Sequence, residues 1–197
     1  FSMRLCGPGR RGSHIKLGAL SSDIAAAKIA YTPITKETYY VIAPPVFSVG
    51  KVSVGRATAT HPTIVDSGST GLYVPAALFG PMVKAMQAGV THAGLRDKLP
   101  PDFFKPYAFK QVTLTDAELA ALPPLRLEVP RAGGGEAVVL EIPARAYLRR
   151  HRGKRYFAVV PSKEGTTLGA VFMENYDVIF DRANKRIGFA PITGCQD

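Results

Sequence analysis

The sequence predicts an all-β fold with short helices, formed by a single domain of 197 residues. The chain contains 19 glycines and 16 prolines, and such frequent interruption suits short strands joined by turns better than long helices. Between these interruptions lie short runs rich in valine, isoleucine and tyrosine, which favour strands. Hydrophobic residues make up 46% of the chain, which is enough for a sizeable core, and no repeat or linker divides the sequence.

The first half of the chain contains several strand signals and one hairpin signal. Val46–Val49 and Val52–Val54 flank Gly50-Lys51, and a two-residue connection of this kind favours a tight hairpin. The other predicted strands are β-branched and aromatic runs bounded by turn residues. They cover residues 4–6, 14–17, 29–34 and 39–43, with a small-residue stretch at 19–28.

Two short helices are predicted. Pro75 suits the first position of a helix, and Gly89 is placed to end that helix. Thr115 and Glu118 have the spacing of a capping box, which predicts a second helix that Pro123-Pro124 terminates. The apolar face of the first helix would consist of Leu78, Met82, Val83 and Met86.

Strand signals return after the second helix. Apolar residues alternate with charged ones over Leu125–Val129, and the glycines at 133–135 provide a turn into Val138–Ile142. The remaining strands are predicted at residues 156–160, 176–180 and 186–190.

The formal net charge of +10 raises the question of nucleic-acid binding. The basic residues cluster mainly in 149-RRHRGKR-155 and at Arg10-Arg11, without interleaved aromatic residues. We therefore interpret residues 149–155 as a solvated hairpin tip and expect no nucleic-acid partner.

Other classes of site have little support in the sequence. The four histidines lie in unrelated contexts, so no metal site is predicted. The triple glycine does not join a strand to a helix, so we expect no phosphate loop and no cofactor. No segment approaches the roughly 20 apolar residues that a membrane-spanning helix needs.

Cys6 and Cys195 are either two free thiols or, in an oxidising compartment, a disulfide that closes nearly the whole chain.

The motif 63-TIVDSGSTGLYVP-75 is the main candidate for chemistry. Asp66 follows an apolar run, and the small residues after it let backbone amides and hydroxyls reach its carboxylate. Gly68 permits close approach, while Ser67 and Ser69 offer donors, an arrangement that suits an acid held for general acid/base catalysis. The alternative is an Asx-type turn in which Asp66 only caps its own loop. On the residues DSGS alone the turn is the better interpretation.

The wider pattern resembles the pepsin-like aspartic proteases, specifically the C-terminal lobe of their bilobal fold. It consists of the DSGST motif, Pro75, the segment Thr167-Leu168-Gly169 and the ending VFMENYDVIFDRANKRIGFAP. The beta-secretase branch of the family is the most similar, because of FSMRLCG near the start, YTPITKETYYV, and Ala170 after Leu168-Gly169. Residues 1–40 would include the segment that joins the two lobes.

The resemblance implies a role for each residue of the motif. Asp66 would be one of two catalytic aspartates that share a proton and activate a water. Ser67 would lock the two catalytic loops together, and Ser69 would donate to the outer oxygen of Asp66. Gly68 and Thr70 would line the cleft and bind the backbone of a polypeptide substrate. The resemblance further places Leu168 and Gly169 beside the catalytic loop, and it implies a Cys6–Cys195 disulfide.

The same resemblance implies a missing half. The pattern D-[ST]-G-[ST] occurs once in the sequence, so the second aspartate would come from an N-terminal lobe in cis. The chain alone is then expected to be inactive. An alternative is that the parent is an inactive pepsin-like protein that binds peptides or acts as an inhibitor, and a third hypothesis is a basic subunit with an acidic partner.

The chain departs from the family pattern at two places. Tyr73 stands where beta-secretase has a substrate-selecting arginine, so the cleavage preference is not transferred. Residues 89–110 match no segment of the family.

The family implies the secretory pathway, either in the lumen or outside the cell, and a membrane-anchored parent would carry its anchor outside this chain.

Overall fold

A computed structural model of the chain describes residues 1–18, 20, 24, 29–58, 61–108 and 110–196. Most of the predicted small-residue stretch at 19–28 therefore lies outside the described residues. The first eight strands are β1 Ser2–Arg4, β2 His14–Lys16, β3 Ala30–Lys36, β4 Val41–Ile42, β5 Val46–Val49, β6 Val52–Arg56, β7 Thr63–Val65 and β8 Leu72–Pro75. They are followed by β9 Leu125–Val129, β10 Val138–Ile142, β11 Leu148–His151, β12 Lys154–Phe157, β13 Val159–Ser162, β14 Thr166–Leu168, β15 Tyr176–Asp181 and β16 Arg186–Pro191.

Helices occupy a small share of the described chain. They are α1 Ala76–His92, α2 Asp116–Ala121, α3 Ala144–Tyr147 and α4 Ala170–Met173, together with a 3₁₀ helix at Pro101–Phe104. Among the described residues, no helix has both the length and the apolar character needed to cross a bilayer. The predicted fold class, mainly β with short helices, is confirmed.

The strands form three sheets. The largest has the order β13-β8-β14-β7-β4-β3-β16-β15-β1-β2, the second has the order β10-β9-β5-β6, and β11 pairs with β12 alone. Most neighbours are antiparallel, but β14 runs parallel to β7 and β13 runs parallel to β8. These parallel pairs bring the chain segments around residues 66 and 169 together.

Both predicted hairpins are present. Val46–Val49 pairs with β6 across Gly50, whose φ of 57° requires a residue that tolerates the left-handed region. Leu125–Val129 pairs with Val138–Ile142, and in β9 the apolar side chains are buried while Glu128 is exposed. The alternation in the sequence therefore predicted which face of this sheet meets the core.

Three predicted strands differ from the observed ones. The strand expected at residues 4–6 lies instead at Ser2–Arg4, which pairs with β15. The strand expected at residues 39–43 is reduced to Val41–Ile42, because the chain turns through Tyr40 at a φ of 48°. The strand expected at 156–160 is divided between β12 and β13 at Ala158. The Ala158 N–H donates to the Tyr147 carbonyl (2.9 Å), while the Ala158 carbonyl accepts from the Leu72 N–H (3.0 Å), so the chain changes sheets there.

Helix α1 is longer than predicted. Pro75, expected at the first helical position, is the N-cap and ends β8, and the helix continues past Gly89 to His92. A Cβ at Gly89 would lie 2.5 Å from the Pro123 ring, so Gly89 permits close packing and does not end the helix. The chain reverses instead at Gly94, where φ is 68°. The buried face of the helix is Phe79, Met82, Met86 and Val90.

The second predicted helix start is confirmed. The Glu118 N–H donates to Thr115 Oγ1 (3.2 Å), and the Thr115 N–H donates to Glu118 Oε2 (2.8 Å). These reciprocal bonds form the capping box that begins α2.

The two ends of the chain meet on one side of the largest sheet. Strand β1 pairs with β15, and Arg4 donates to Asp177 from Nε (2.7 Å) and from Nη2 (2.8 Å). Both side chains of this pair are at most 5% exposed. Cys6 and Cys195 form a disulfide, with their Cα atoms 5.6 Å apart, as the family resemblance implied.

Replacing Asp177 by asparagine should lower the free energy of unfolding by about 3 kcal/mol, because the Arg4 guanidinium would lose its buried carboxylate. Asp181→Asn on the same strand is the matched control. Its partner, Arg186, also lies 2.7 Å away but is 36% exposed, so the expected loss is at most about 1 kcal/mol. Urea denaturation followed by circular dichroism measures both values. Equal losses in the two variants would contradict the role assigned to burial.

Candidate active site

Asp66 lies at the end of β7, where the chain leaves the largest sheet. The Asp66 N–H donates to the Leu168 carbonyl (3.2 Å), which continues the parallel pairing of β7 with β14. Thr63 and Val65 are buried below it, whereas Asp66 itself is half-buried. The sheet therefore fixes the backbone of the acid and leaves its side chain accessible from one side.

Both carboxylate oxygens of Asp66 accept hydrogen bonds from its own loop. Oδ1 accepts from the Gly68 N–H (2.9 Å), and Oδ2 accepts from Ser69 Oγ (2.6 Å). The bond to the amide two residues later is the Asx-type turn considered from the sequence. The same two contacts cap the loop and orient the Asp66 carboxylate. The Asx-type turn and a positioned catalytic acid are therefore compatible hypotheses.

The other predicted residues of the loop face outward. Ser67, Gly68 and Thr70 are exposed, and the Ser67 hydroxyl makes no hydrogen bond to any residue that the structure describes. The structure thus brings the motif residues into one turn. Ser69 is the one among them whose side chain contacts the acid.

Gly169 lies directly against the loop. The Ala170 N–H donates to the Ser69 carbonyl (2.8 Å), and the Val171 N–H donates to the Thr70 carbonyl (3.1 Å). A Cβ on Gly169 would lie 2.5 Å from the Ser69 carbonyl oxygen, so only glycine permits this approach. Leu168 is fully buried beneath the loop. The segment Leu168-Gly169 therefore supports the loop from one side, at the place that the sequence resemblance indicated.

A cleft of about 240 Å³ opens beside the loop. Thr70 and Gly71 form its edge on the side of the loop, and Tyr73 lines it from β8. Its other residues are mainly aromatic and basic: Phe103, Lys105, Tyr107, Lys110, Tyr156, Phe157 and the backbone segment 158–160. Such a mixture of apolar walls and a few polar groups suits a side chain of a bound ligand.

Comparison with known proteins identifies the family. The profile of the family described as eukaryotic aspartyl protease matches residues 1–192. The chain belongs to this family. Among relatives of this aspartyl protease chain, a beta-secretase of Strongylocentrotus purpuratus is 30% identical over 200 residues. Pepsin A of Gallus gallus is 27% identical over 203 residues, and pepsin-2B of Gadus morhua is 25% identical over 203 residues.

The chain spans only part of each relative. The matches cover 91% of this chain and 35% of the beta-secretase, 98% and 47% for pepsin A, and 97% and 53% for pepsin-2B. This aspartyl protease chain therefore corresponds to about a third to a half of the curated relatives it matches.

Part of this site was missed in the sequence. The segment 101–110, which matched no family motif, contributes Phe103, Lys105 and Tyr107 to the cleft of the aspartyl protease chain. Lys110 of the same segment pairs with Asp102. Strand β13 also reaches the cleft, because it pairs in parallel with β8. Proximity to a motif that is distant in sequence leaves no periodic signal. The adjacent apolar residues Phe103 and Phe104, both buried, are the one local signal that could have indicated an anchored segment.

Proposed function

We propose that the chain is the C-terminal lobe of an aspartic-type endopeptidase, in which Asp66 is one of two catalytic aspartates. The observation that carries this proposal is the Asp66 carboxylate, which the Gly68 amide and the Ser69 hydroxyl hold at 2.9 and 2.6 Å on an accessible turn. Membership of the eukaryotic aspartyl protease family supports the assignment. Residues 1–197 would form one lobe, with the inter-lobe segment within residues 1–40.

The mechanism requires two carboxyl groups that share one proton, since two close like charges cannot both ionise. The ionised carboxylate takes a proton from a water as the water oxygen attacks the peptide carbonyl carbon. The protonated partner donates to the carbonyl oxygen. Ser69 would hold one oxygen of Asp66 while Gly68 and Thr70 bind the substrate backbone. Because the pair titrates as a unit, hydrolysis should show a bell-shaped pH profile on the acid side of neutrality.

The second aspartate is proposed to come from an N-terminal lobe in cis. The D-[ST]-G-[ST] pattern occurs once in the sequence, and the chain spans 35% to 53% of the three relatives described above. The exposed Ser67 hydroxyl would then bond to the facing loop of that lobe. We propose a lumenal or extracellular location in the secretory pathway, supported by the Cys6–Cys195 disulfide, which persists in oxidising compartments.

The chain alone should hydrolyse no peptide, because it holds one half of the catalytic pair. The assay compares the chain with the two-lobed parent on a fluorogenic peptide mixture between acid and neutral pH. We expect pepstatin-sensitive cleavage from the parent and none from the chain. Pepstatin-sensitive cleavage by the monomeric chain would refute the assignment to a half site.

A second candidate is an inactive pepsin-like protein that binds peptides or acts as an inhibitor. The aromatic cleft beside Thr70 favours it, since peptide binding there needs no second aspartate. Measuring both peptide binding and peptide cleavage by the two-lobed parent distinguishes the two candidates. Binding without cleavage at any pH would support the inactive protein.

A further inference from the structure

The basic run noted in the sequence forms a two-stranded hairpin. Strands β11 and β12 are joined by Arg152-Gly153, with φ values of 47° and 81°, the geometry of a tight two-residue turn. Arg155 also pairs through its backbone with Val112, with N–O distances of 2.7 and 2.9 Å. Residues 150–154 are exposed, as predicted, but Arg149 and Arg155 are half-buried at the base of the hairpin and are not solvated tip residues.

The hairpin places like charges directly opposite each other. Arg150 faces Arg155 across the two strands. Like charges in directly opposed positions destabilise a hairpin. Burial, and after it the charge of Arg150, lowers the pKa of Arg155, with Asp116 acting in the opposite direction. An anion bound between these side chains would relieve the repulsion.

A second wall faces the hairpin. The turn 7–10 is closed by a bond from the Arg10 N–H to the Gly7 carbonyl (3.0 Å), and Arg10 Nη2 donates to the Cys195 carbonyl (2.9 Å). Between this turn and the hairpin lies a cleft of about 1080 Å³, which we call the arginine cleft. Its arginines are Arg10, Arg145, Arg149, Arg150, Arg152 and Arg155.

Carboxylates compensate only part of this charge. The acids in the lining are Asp116 and Glu174, so six arginines and two carboxylates give the arginine cleft a formal charge of +4 with His151 neutral. Glu174 pairs with Arg149 at 2.7 Å, and both side chains are at most 16% exposed. Arg145, Arg150 and Arg152 have no carboxylate partner within the part of the chain that the structure describes.

The base of the arginine cleft also holds an unsatisfied donor. Arg149 Nη1 is buried and has no hydrogen-bond partner among the described residues. A buried guanidinium donor without an acceptor is unfavourable. The Arg149 guanidinium therefore keeps one unpaired donor while Glu174 holds its other nitrogen, which distinguishes the arginine cleft from a freely solvated basic surface.

We propose that the arginine cleft binds an acidic polypeptide segment through its carboxylates. The planar guanidinium group matches a carboxylate in a two-bond geometry. A polypeptide can leave gaps in its charge opposite Asp116 and Glu174, whereas a densely charged sulfated glycan would meet these carboxylates with its own anions. Tyr156 and His151 are the two rings in the lining, so the cleft lacks the succession of aromatic side chains on which single-stranded nucleic acid stacks. A flat membrane surface would meet the exposed tip arginines but not the half-buried Arg149.

The test measures binding of a fluorescein-labelled peptide of about eight residues in which glutamate alternates with serine, roughly 26 Å when extended. Fluorescence anisotropy is recorded with the secreted, disulfide-bonded protein at increasing salt. We expect saturable binding that weakens as salt rises. The double variant Arg150→Gln, Arg152→Asn should weaken binding about tenfold, and asparagine tolerates the positive φ at position 152.

The matched control removes two charges elsewhere. Lys51→Gln with Lys163→Gln changes two exposed lysines outside the arginine cleft, and we expect less than about a threefold effect. Equal weakening in both double variants would show attraction by net charge alone and would overturn the proposal. Absence of saturable binding at low salt would also overturn it. The proposal would likewise be overturned if the peptide did not bind while a heparin oligosaccharide, single-stranded DNA or phosphatidylserine vesicles bound the wild type and lost binding in the variant of Arg150 and Arg152.

Discussion

Replacing Asp66 by asparagine in the two-lobed protein should lower kcat/KM for peptide hydrolysis by at least about 10³-fold. Asparagine has the shape of aspartate and can keep the contacts with Gly68 and Ser69. It cannot take a proton from water, so the loss would be chemical while the turn stays folded. A fluorogenic peptide assay across acid pH, with circular dichroism as a check of folding, measures both properties.

The control for this substitution is Asp97→Asn. Asp97 is exposed and lies outside the turn, so the same chemical change should leave kcat/KM within about twofold of the wild type. If Asp66→Asn also stayed within about tenfold of the wild type, the assignment of Asp66 as a catalytic acid would be wrong.

Removing the disulfide should have the largest effect on stability. The Cys6–Cys195 bond joins residues that are 189 positions apart, so it restricts almost the whole unfolded chain. The chain-entropy treatment gives about 5 kcal/mol for a loop of this length. The double variant Cys6→Ser, Cys195→Ser should therefore unfold at a much lower urea concentration. Tyrosine fluorescence or circular dichroism follows the transition, because the chain contains no tryptophan.

Two controls accompany the disulfide measurement. Reduction of the wild-type protein should give the same unfolding curve as the double variant, and mass spectrometry of unreduced secreted protein should detect no free thiol. Free thiols in the secreted protein, or an unchanged urea midpoint in the double variant, would contradict the stabilising role of the bridge.

Local signals predicted most of the strands and the turn at Asp66. The hairpin around Gly50, the strand alternation at Leu125–Val129 and the capping box at Thr115 each depend on residues a few positions apart. The turn at Asp66 is local in the same sense, since its two donors lie two and three residues away. Each of these features depends on residues within a short stretch of sequence, so it can be predicted without knowledge of the tertiary structure.

Features that depend on distant partners were missed or misplaced. Gly89 reads locally as a helix end, but the ring of Pro123 packs against it and α1 continues. Strand β14 has three residues, and it is defined by pairing with strands about 100 positions earlier in the chain. The like-charge pair Arg150–Arg155 also became visible only through the register of the hairpin. Tertiary contacts decided these positions, and the sequence carries no periodic trace of them.

The bridge between Cys6 and Cys195 closes residues 6–195 into a covalent ring. A single cut of the backbone between the two cysteines opens this ring without releasing a fragment. The disulfide still joins the two pieces of the cut chain, next to the place where β1 pairs with β15. A single proteolytic cut within residues 6–195 therefore leaves one covalently connected molecule.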